Sequence, residues 1–238
     1  MGDQQAVRQL LRDVDHIAVT TGAGISAESG VPTFRGPGGL WEGHRPEELA
    51  TPGAFAADPQ KVWRWYDWRR AKVASCDPNP AHLALVELEE RSRQLTLVTQ
   101  NVDGLHRRAG SADPIELHGN LWRTRCTGCG DLRDDDRVPI PIPPMCAACG
   151  AMLRPHIVWF GESLDPIALD AAARAASTCD VFLIVGTSGV VYPAAGLADL
   201  AQHAGATVVQ VNLEPTPYTD RVHHSFEGKA GEILPALL

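Results

Sequence analysis

The chain has 238 residues, 44% hydrophobic and 21% charged, a globular composition that excludes a disordered chain and is enough to build a core. Its formal charge of −8 has the wrong sign for a general nucleic-acid binder and weakly favours cationic partners such as lysine-rich protein surfaces. The longest apolar runs, such as Val181-Phe182-Leu183-Ile184-Val185, are strand-sized, which excludes a membrane-spanning helix; an opening that carries Asp3, Arg8, Arg12, Asp13 and Asp15 points away from export and toward the cytoplasm.

In chain order, the spacing predicts a helix over residues 4–13, with Val7, Leu10, Leu11 and Val14 on one side, followed by a buried strand over 16–20. Further strands are predicted over 95–99, 157–160, 181–185 and 207–211, with helices over 165–177 and 192–203. Strands that are continuous apolar runs joined by helices predict an α/β fold, a doubly wound parallel sheet covered on both faces. Two segments break this rhythm. Residues 36–80 carry loop and helix without a clear strand, and residues 119–155 carry four paired cysteines and a Pro-rich stretch. Both read as insertions that form a smaller lobe on one domain spanning 1–238.

The first predicted strand runs into Gly22-Ala23-Gly24-Ile25-Ser26-Ala27, which matches the G-x-G-x-x-G/A pattern of a nucleotide-binding loop. Glycines there allow backbone to approach a pyrophosphate, and the following helix start offers N–H groups. A Gly-rich structural turn remains the alternative. A dehydrogenase would continue with a second strand ending in an acidic residue about 20 positions on. Irregular sequence, Val31-Pro32-Thr33-Phe34-Arg35-Gly36, follows instead, which disfavours hydride transfer.

Cys126-x-x-Cys129, sixteen intervening residues and Cys146-x-x-Cys149 form a four-cysteine zinc pattern. Four sulfurs leave no position for water, so one structural Zn2+ is expected in place of a catalytic one. Two disulfides or four buried thiols are the alternatives. A nucleic-acid-binding zinc ribbon is disfavoured, because residues 119–155 hold five arginines and four aspartates and so form no basic stripe.

Gly22-Ala23-Gly24-Ile25-Ser26, Pro32-Thr33-Phe34-Arg35, Gln100-Asn101-Val102-Asp103, Leu117-His118-Gly119-Asn120, the paired cysteines, Val158-Trp159-Phe160-Gly161-Glu162, Gly186-Thr187-Ser188, Asn212-Leu213-Glu214 and Lys229-Ala230 resemble, in this order, the motifs of the sirtuins, the NAD-dependent protein deacylases. The resemblance spans the chain from about Asp15 to its end and implies a Rossmann-like sheet with NAD as co-substrate. It implies that the acyl-lysine oxygen attacks the anomeric carbon of the nicotinamide ribose, that nicotinamide leaves, and that His118 acts as general base toward the ribose hydroxyls while the acyl group passes to the ribose. It gives Asp103 the nicotinamide carboxamide, and Asn101 with Gln100 the ribose and water. Phe34 and Arg35 would line the same pocket. Gly22, Ala23, Gly24, Ser26, Gly186, Ser188, Asn212, Glu214 and the backbone of Ala230 would complete the NAD site. Val158, Phe160 and Gly161 would clamp an acyl-lysine protein segment as an added strand, a mode that gives affinity without much sequence preference.

The predicted helix over 59–74 carries one departure. Val62, Tyr66, Arg69 and Val73 share a face, so Arg69 interrupts an apolar inward stripe. An inward guanidinium needs an anion, and its planar fork matches a ligand carboxylate. Tyr66-x-x-Arg69 also resembles the pair that marks the desuccinylase and demalonylase branch of the sirtuins, and Thr33, where many deacetylases carry Asp, agrees. The alternatives for Arg69 are pairing with a distant acid; for the chain, protein mono-ADP-ribosyl transfer or a non-catalytic NAD-sensing module.

Overall fold

The computed structural model describes residues 2–33 and 45–238. The chain opens with α1 (Gly2–Asp13), β1 (His16–Thr21) and α2 (Ala23–Ala27). Next come α3 (Pro52–Ala57), α4 (Pro59–Ala74) and α5 (Pro80–Arg91), then β2 (Gln94–Thr99), α6 (Leu105–Ala109) and β3 (Ile115–Glu116). A small antiparallel sheet follows, made of β4 (Gly119–Cys126), β5 (Leu132–Asp134) and β6 (Leu153–Ile157) in the order β5-β4-β6. The chain returns to the large sheet through α7 (Pro166–Thr178), β7 (Val181–Val185), α8 (Gly196–His203), β8 (Thr207–Asn212), β9 (His224–Glu227) and α9 (Ala230–Ala236).

The large sheet is parallel throughout, in the order β3-β2-β1-β7-β8-β9. Alternation along each strand divides its apolar side chains between two cores. Ile17 and Val19 of β1 join Val181, Leu183 and Val185 of β7 beneath α1, α5 and α9, while Ala18, Phe182 and Ile184 face the Ala-rich α7 and α8. Side-chain caps set where helices begin. Asp58 accepts from the Lys61 amide with Pro59 in the first turn of α4, Asp165 accepts from Ile167 ahead of α7, and Asn79 and His82 form a reciprocal capping box on α5.

A third core joins the two segments that break the α/β rhythm. Val62, Trp63, Trp65, Tyr66 and Val73 of α4 pack with Leu121, Leu153, Ile157 and Trp159 around the small sheet. The apolar run expected as a strand over 157–160 belongs here and not to the large sheet. Ile157 ends β6, and the next residues spend their amides on loops, Val158 on the His118 carbonyl at 2.9 Å and Phe160 on that of Ala50 at 2.9 Å. The helix expected from 192 begins at Gly196, because residues 191–196 form turns in which Ala195 bonds back to Val191 and Gly196 to Pro193. No helix among the described residues is long and apolar enough to cross a membrane.

Arg70, 1% exposed, fastens α4 to the small sheet. It donates to the carbonyls of Leu121 at 2.9 Å and Arg137 at 3.1 Å, bonds the Asp135 carbonyl, and lies 3.4 Å from the Asp135 carboxylate. Desolvation alone would raise the Asp135 carboxyl, but the hydrogen bonds and charge of Arg137, with the charge of Arg70, bring it below its ordinary value. Replacing one member of such a buried network leaves the others desolvated and half-paired. Arg70→Met is therefore expected to lower unfolding free energy by about 3 kcal/mol in urea melts, and Arg70→Lys, which lacks the planar fork, to restore little of it; a loss below about 1 kcal/mol for Arg70→Met would show that the network is not a fastening.

Candidate active-site cleft

A cleft of about 1470 Å³ opens at the carboxyl ends of the parallel strands, between the large sheet and the small lobe. The sheet's strand order reverses between β1 and β7, and in open α/β sheets that switch point is where ligands bind. The Gly22 amide bonds Val185 at 3.0 Å and the Gly24 amide bonds Gly186 at 2.8 Å, so the two loops cross in contact. A Cβ on Gly22 or Gly24 would stand 2.8 or 2.7 Å from the Gly186 carbonyl oxygen. The crossing of the two backbones thus requires these glycines whatever lies in the cleft, while Ala23 between them lines it.

Gly186 and Ser188 after β7, Asn212 and Glu214 at and after β8, and Ala230 at the start of α9 line the same cleft. Glu28, just after α2, accepts from the Gly231 amide at 2.7 Å and ties α9 to the first loop. Gln100 follows β2; its amide bonds the Thr21 carbonyl at 3.0 Å and its side chain reaches Thr187 at 3.2 Å, bridging the sheet beneath the cleft.

Next to Gln100, a hydrogen-bond chain of fixed polarity runs under the first loop. The Gly22 carbonyl can only accept, so the Asn101 atom 3.0 Å from it is Nδ2, which also donates to Ser26 Oγ at 3.2 Å. Ser26 then donates to Asp103 at 2.8 Å, and the Leu105 amide donates to the other Asp103 oxygen at 2.8 Å. Asn101 is left with Oδ1 to present to the cleft it lines. Ser26 is completely buried and serves the cleft only through these neighbours. Asp103 lies beside the cleft, in a small annex that it shares with Arg69 and Pro32. Burial raises its pKa, against the bonds from Leu105 and Ser26 and the charge of Arg69.

His118 stands immediately before β4 and lines the cleft. Its Nδ1 lies 3.0 Å from the Gln100 carbonyl, an acceptor only, so Nδ1 carries the hydrogen and Nε2 presents a lone pair. Burial holds its pKa below 6.5, only partly offset by that bond, and the ring is neutral at pH 7. Behind Ser26, the His82 and His106 rings pack 4.9 Å apart between centroids, tilted by 60°, and are kept neutral by desolvation, at about 4 and about 3. His82 lies 3.4 Å from Ser26 Oγ and His106 2.9 Å from Thr21 Oγ1. The sequence reading did not find this support; its one local signal is the Asn79-x-x-His82 capping spacing.

At the small-lobe side, Tyr66 and Arg69 of α4 line the cleft while 1% and 6% exposed. The Arg69 guanidinium lies 4.9 Å from the Trp65 ring centroid, and the Tyr66 hydroxyl accepts the Trp159 indole N–H at 2.9 Å. Desolvation lowers the Arg69 pKa and raises that of Tyr66, which keeps the phenol neutral at pH 7; a guanidinium stays charged in proteins. Val158, Phe160 and Gly161 line the same cleft as Val191 and Tyr192, and Phe160 and Tyr192 are exposed. Phe34 and Arg35 lie outside the described residues.

The four cysteine sulfurs lie within 4.8 Å of one another, away from the cleft lining. Cys126 and Cys149 sulfurs are 3.4 Å apart and Cys129 and Cys146 3.8 Å apart, too far for disulfides of about 2.05 Å. The amides of Gly128 and Cys129 point at the Cys126 sulfur at 3.4 Å each, as in a knuckle that stabilises thiolate. The four sulfurs fit a closed tetrahedral Zn2+ site.

A family model described as the Sir2 family matches residues 22–193. The chain is 54% identical over 232 residues to NAD-dependent protein deacylase 2 of Pyrobaculum aerophilum, covering 98% of this chain and 93% of that protein. It is 44% identical over 258 residues to the mitochondrial NAD-dependent protein deacylase sirtuin-5 of Canis lupus familiaris, covering 97% and 83%. Among solved structures, a complex of a Sir2 homolog with NAD superposes with a TM-score of 0.93 at 47% identity, covering 98% of this chain and 91% of that one. A Sir2 structure with a deacetylated p53 peptide and 3′-O-acetyl ADP-ribose gives 0.90 at 33% identity, covering 99% and 97%.

Stripping the metal with a chelator is expected to lower the melting temperature by several degrees and to weaken near-ultraviolet dichroism from Trp63, Trp122 and Trp159, with recovery on adding zinc. An unchanged melting curve after measured loss of zinc would show that the cysteines hold the lobe without it.

Proposed function

The chain belongs to the Sir2 family, and from that premise we propose that it removes acyl groups from protein lysines at the expense of NAD, with preference for acyl groups that end in a carboxylate. The balance is acyl-lysine, NAD and water in; free lysine, nicotinamide and O-acyl-ADP-ribose out. The observation that carries this reading is the placement of His118 and of the Tyr66 and Arg69 pair in the wall of one cleft.

The residues fit NAD. Gly22, Ala23, Gly24, Gly186 and Ser188 would surround the diphosphate side; Asn212, Glu214 and the Ala230 backbone would hold the adenosine side, with α9 fixed by Glu28. Bound NAD supplies an anomeric carbon at which the acyl oxygen displaces nicotinamide. Asp103, already oriented by Ser26 and Leu105, has acceptor capacity left for the carboxamide N–H groups. Asn101 offers Oδ1 to a ribose hydroxyl or water, and Gln100 holds the strand end from which it projects. His118 Nε2 takes the ribose proton, because its neutral tautomer has the lone pair on that nitrogen. Phe34 and Arg35 are assigned to the nicotinamide end on the sequence resemblance.

A protein segment bearing the acyl-lysine would lie extended between the Val158–Gly161 rim and the loop 189–192. Its acyl group reaches Arg69, whose fork takes a terminal carboxylate, with the Tyr66 hydroxyl adding a third bond.

One peptide carrying acetyl-, succinyl- or malonyl-lysine in turn is expected to release nicotinamide fastest with the acidic acyl groups, with free lysine formed in equal amount. Label from NAD retained on the protein would instead favour ADP-ribosyl transfer, and NAD binding without turnover a sensing module. Arg69→Met is expected to lower succinyl turnover at least about thirtyfold more than acetyl turnover, from the loss of charge-assisted bonds; equal losses would refute the carboxylate pocket. Because the neutral His118 is the base and its pKa is depressed, kcat/KM should fall on the acid side with a midpoint below 6.5 and be level above it. An acid limb centred above 6.5 would exclude His118, in this environment, as its source.

A further inference from the structure

We propose that Trp159 is a positioning residue for acyl selectivity: its indole N–H engages the Tyr66 oxygen from the protein side, so that the phenolic hydrogen is left to donate into the cleft. The proposal deepens the carboxylate-preferring reading above and rests on it.

Trp159 lines the cleft together with its neighbours Val158 and Phe160, yet is 2% exposed and packs into the small-lobe core. Its Nε1 donates to Tyr66 Oη at 2.9 Å. Arg69, three residues along α4 from Tyr66, holds its guanidinium 5.6 Å from the Tyr66 ring centroid. Indole and guanidinium nitrogens are donors only, whereas a phenol has two acceptor sites and one hydrogen. With the indole N–H donating to its oxygen and a donor-only guanidinium beside its ring, Tyr66 has its hydrogen to offer to a ligand acceptor. An ionised carboxylate is acceptor-only, so the arrangement favours it over an acyl group that ends in a methyl group or carries a donor.

The indole is itself held. Arg154 grips Glu162 with both terminal nitrogens, at 2.6 and 2.8 Å, and Glu162 also accepts from the Trp159 backbone amide at 2.9 Å. The Arg154 guanidinium lies 3.6 Å from the centroid of the Trp159 ring, and the Phe55 ring packs at 5.2 Å, tilted by 40°. Arg154 further donates to the Ile157 carbonyl at 3.0 Å, closing the turn from which Trp159 projects. The ring cannot tilt without loosening an ion pair and a cation–π contact, so the N–H is aimed before any ligand arrives, and the cost of orienting the hydroxyl on binding is reduced.

The test is steady-state kcat and KM on succinyl- and acetyl-lysine versions of one peptide, using the full chain as wild type, Trp159→Phe, Tyr66→Phe and the double variant. Trp159→Phe keeps a ring and removes the donor. Its kcat/KM for the succinyl peptide is expected to fall roughly five- to tenfold more than for the acetyl peptide, chiefly through KM, the loss of one hydrogen bond. In the Tyr66→Phe background the same substitution should change the succinyl-to-acetyl ratio less than about twofold, because the two residues act through one contact. Equal losses on both peptides, an unchanged ratio, or a full shift persisting without the Tyr66 hydroxyl would each overturn the proposal. Should Trp159→Phe fail to fold by circular dichroism, Glu162→Gln carries the test, with a ratio shift in the same direction supporting it and an unchanged ratio overturning it. A wild type without preference for the succinyl peptide sinks the carboxylate reading and this proposal together; a preference that depends on Arg69 but not on Trp159 sinks this proposal alone.

Discussion

The contact on which the cleft depends is the crossing of two backbones just past the ends of β1 and β7. A Cβ on Gly186, whose φ is 60°, would come within 2.3 Å of the Ile25 amide nitrogen, and one on Gly24 within 2.7 Å of the Gly186 oxygen. Only residues without side chains can occupy both sides of such a crossing. Because the chain leaves β1 toward one half of the sheet and β7 toward the other, the two loops part above this contact, and the space between them is the cleft. The same packing presses α2 onto the sheet edge and so determines where Ser26 lies, beneath the loop and not inside it.

From Ser26 the order of the site follows by hydrogen-bond counting. A buried hydroxyl with one hydrogen gives it to Asp103 and receives from Asn101, whose amide orientation is forced by the Gly22 carbonyl. Polar groups at this depth are costly to leave unpaired, so the arrangement has little freedom to invert. What the cleft and its annex then meet is the complement of what the protein has consumed: an acceptor on Asn101, spare acceptor capacity on Asp103 in the annex, and a lone pair on His118 Nε2. Burial keeps His82 and His106 uncharged behind this network, so no cation there competes for Asp103.

How far the sequence is legible depends on whether a local signal decides the matter. Strands β1, β7 and β8 read directly as apolar runs because both of their faces are covered. Strands β3 and β9 do not: one has two residues and the other, His224-Ser225-Phe226-Glu227, lies at the sheet edge and has Phe226 as its one apolar residue. The run at 157–160 is as apolar as a central strand, but its burial is against α4 and the small sheet, and periodicity cannot say which core covers a residue. Helix α4 shows the same boundary from the other side. Its spacing exposes Arg69 as an inward charge, yet Arg70 is equally buried, because the helix is covered on two sides and a single apolar stripe describes only one. Arg70 is committed to Leu121, Asp135 and Arg137, partners far along the chain, whereas Arg69 lies in the cleft wall. Nothing in the two letters Arg-Arg distinguishes these fates.

The separation of His118 from Trp159 is set by one short pairing. Strand β4 begins where His118 ends, Gly119 faces Ile157 of β6, and the His118 carbonyl accepts from Val158. Gly119, with φ of 81°, has the His156 carbonyl 2.1 Å from where a Cβ would be, so no side chain can enter the pairing there. One residue beyond Val158, the Trp159 indole reaches Tyr66. His118 and Trp159 thus flank opposite strands of the same two-stranded contact, and a shift in its register would move one relative to the other. Beyond an irregularity in register between Gly119 and Thr124, the contact runs on to Cys126 opposite Leu153, where the cysteine knuckles begin, with the Cys126 amide bonded to Asp131 and that of Cys146 to Ala151. A metal held there closes the ladder that, at its other end, separates His118 from Trp159. A structural zinc remote from the cleft would therefore bear on the site through the folding of the small lobe and not through chemistry of its own.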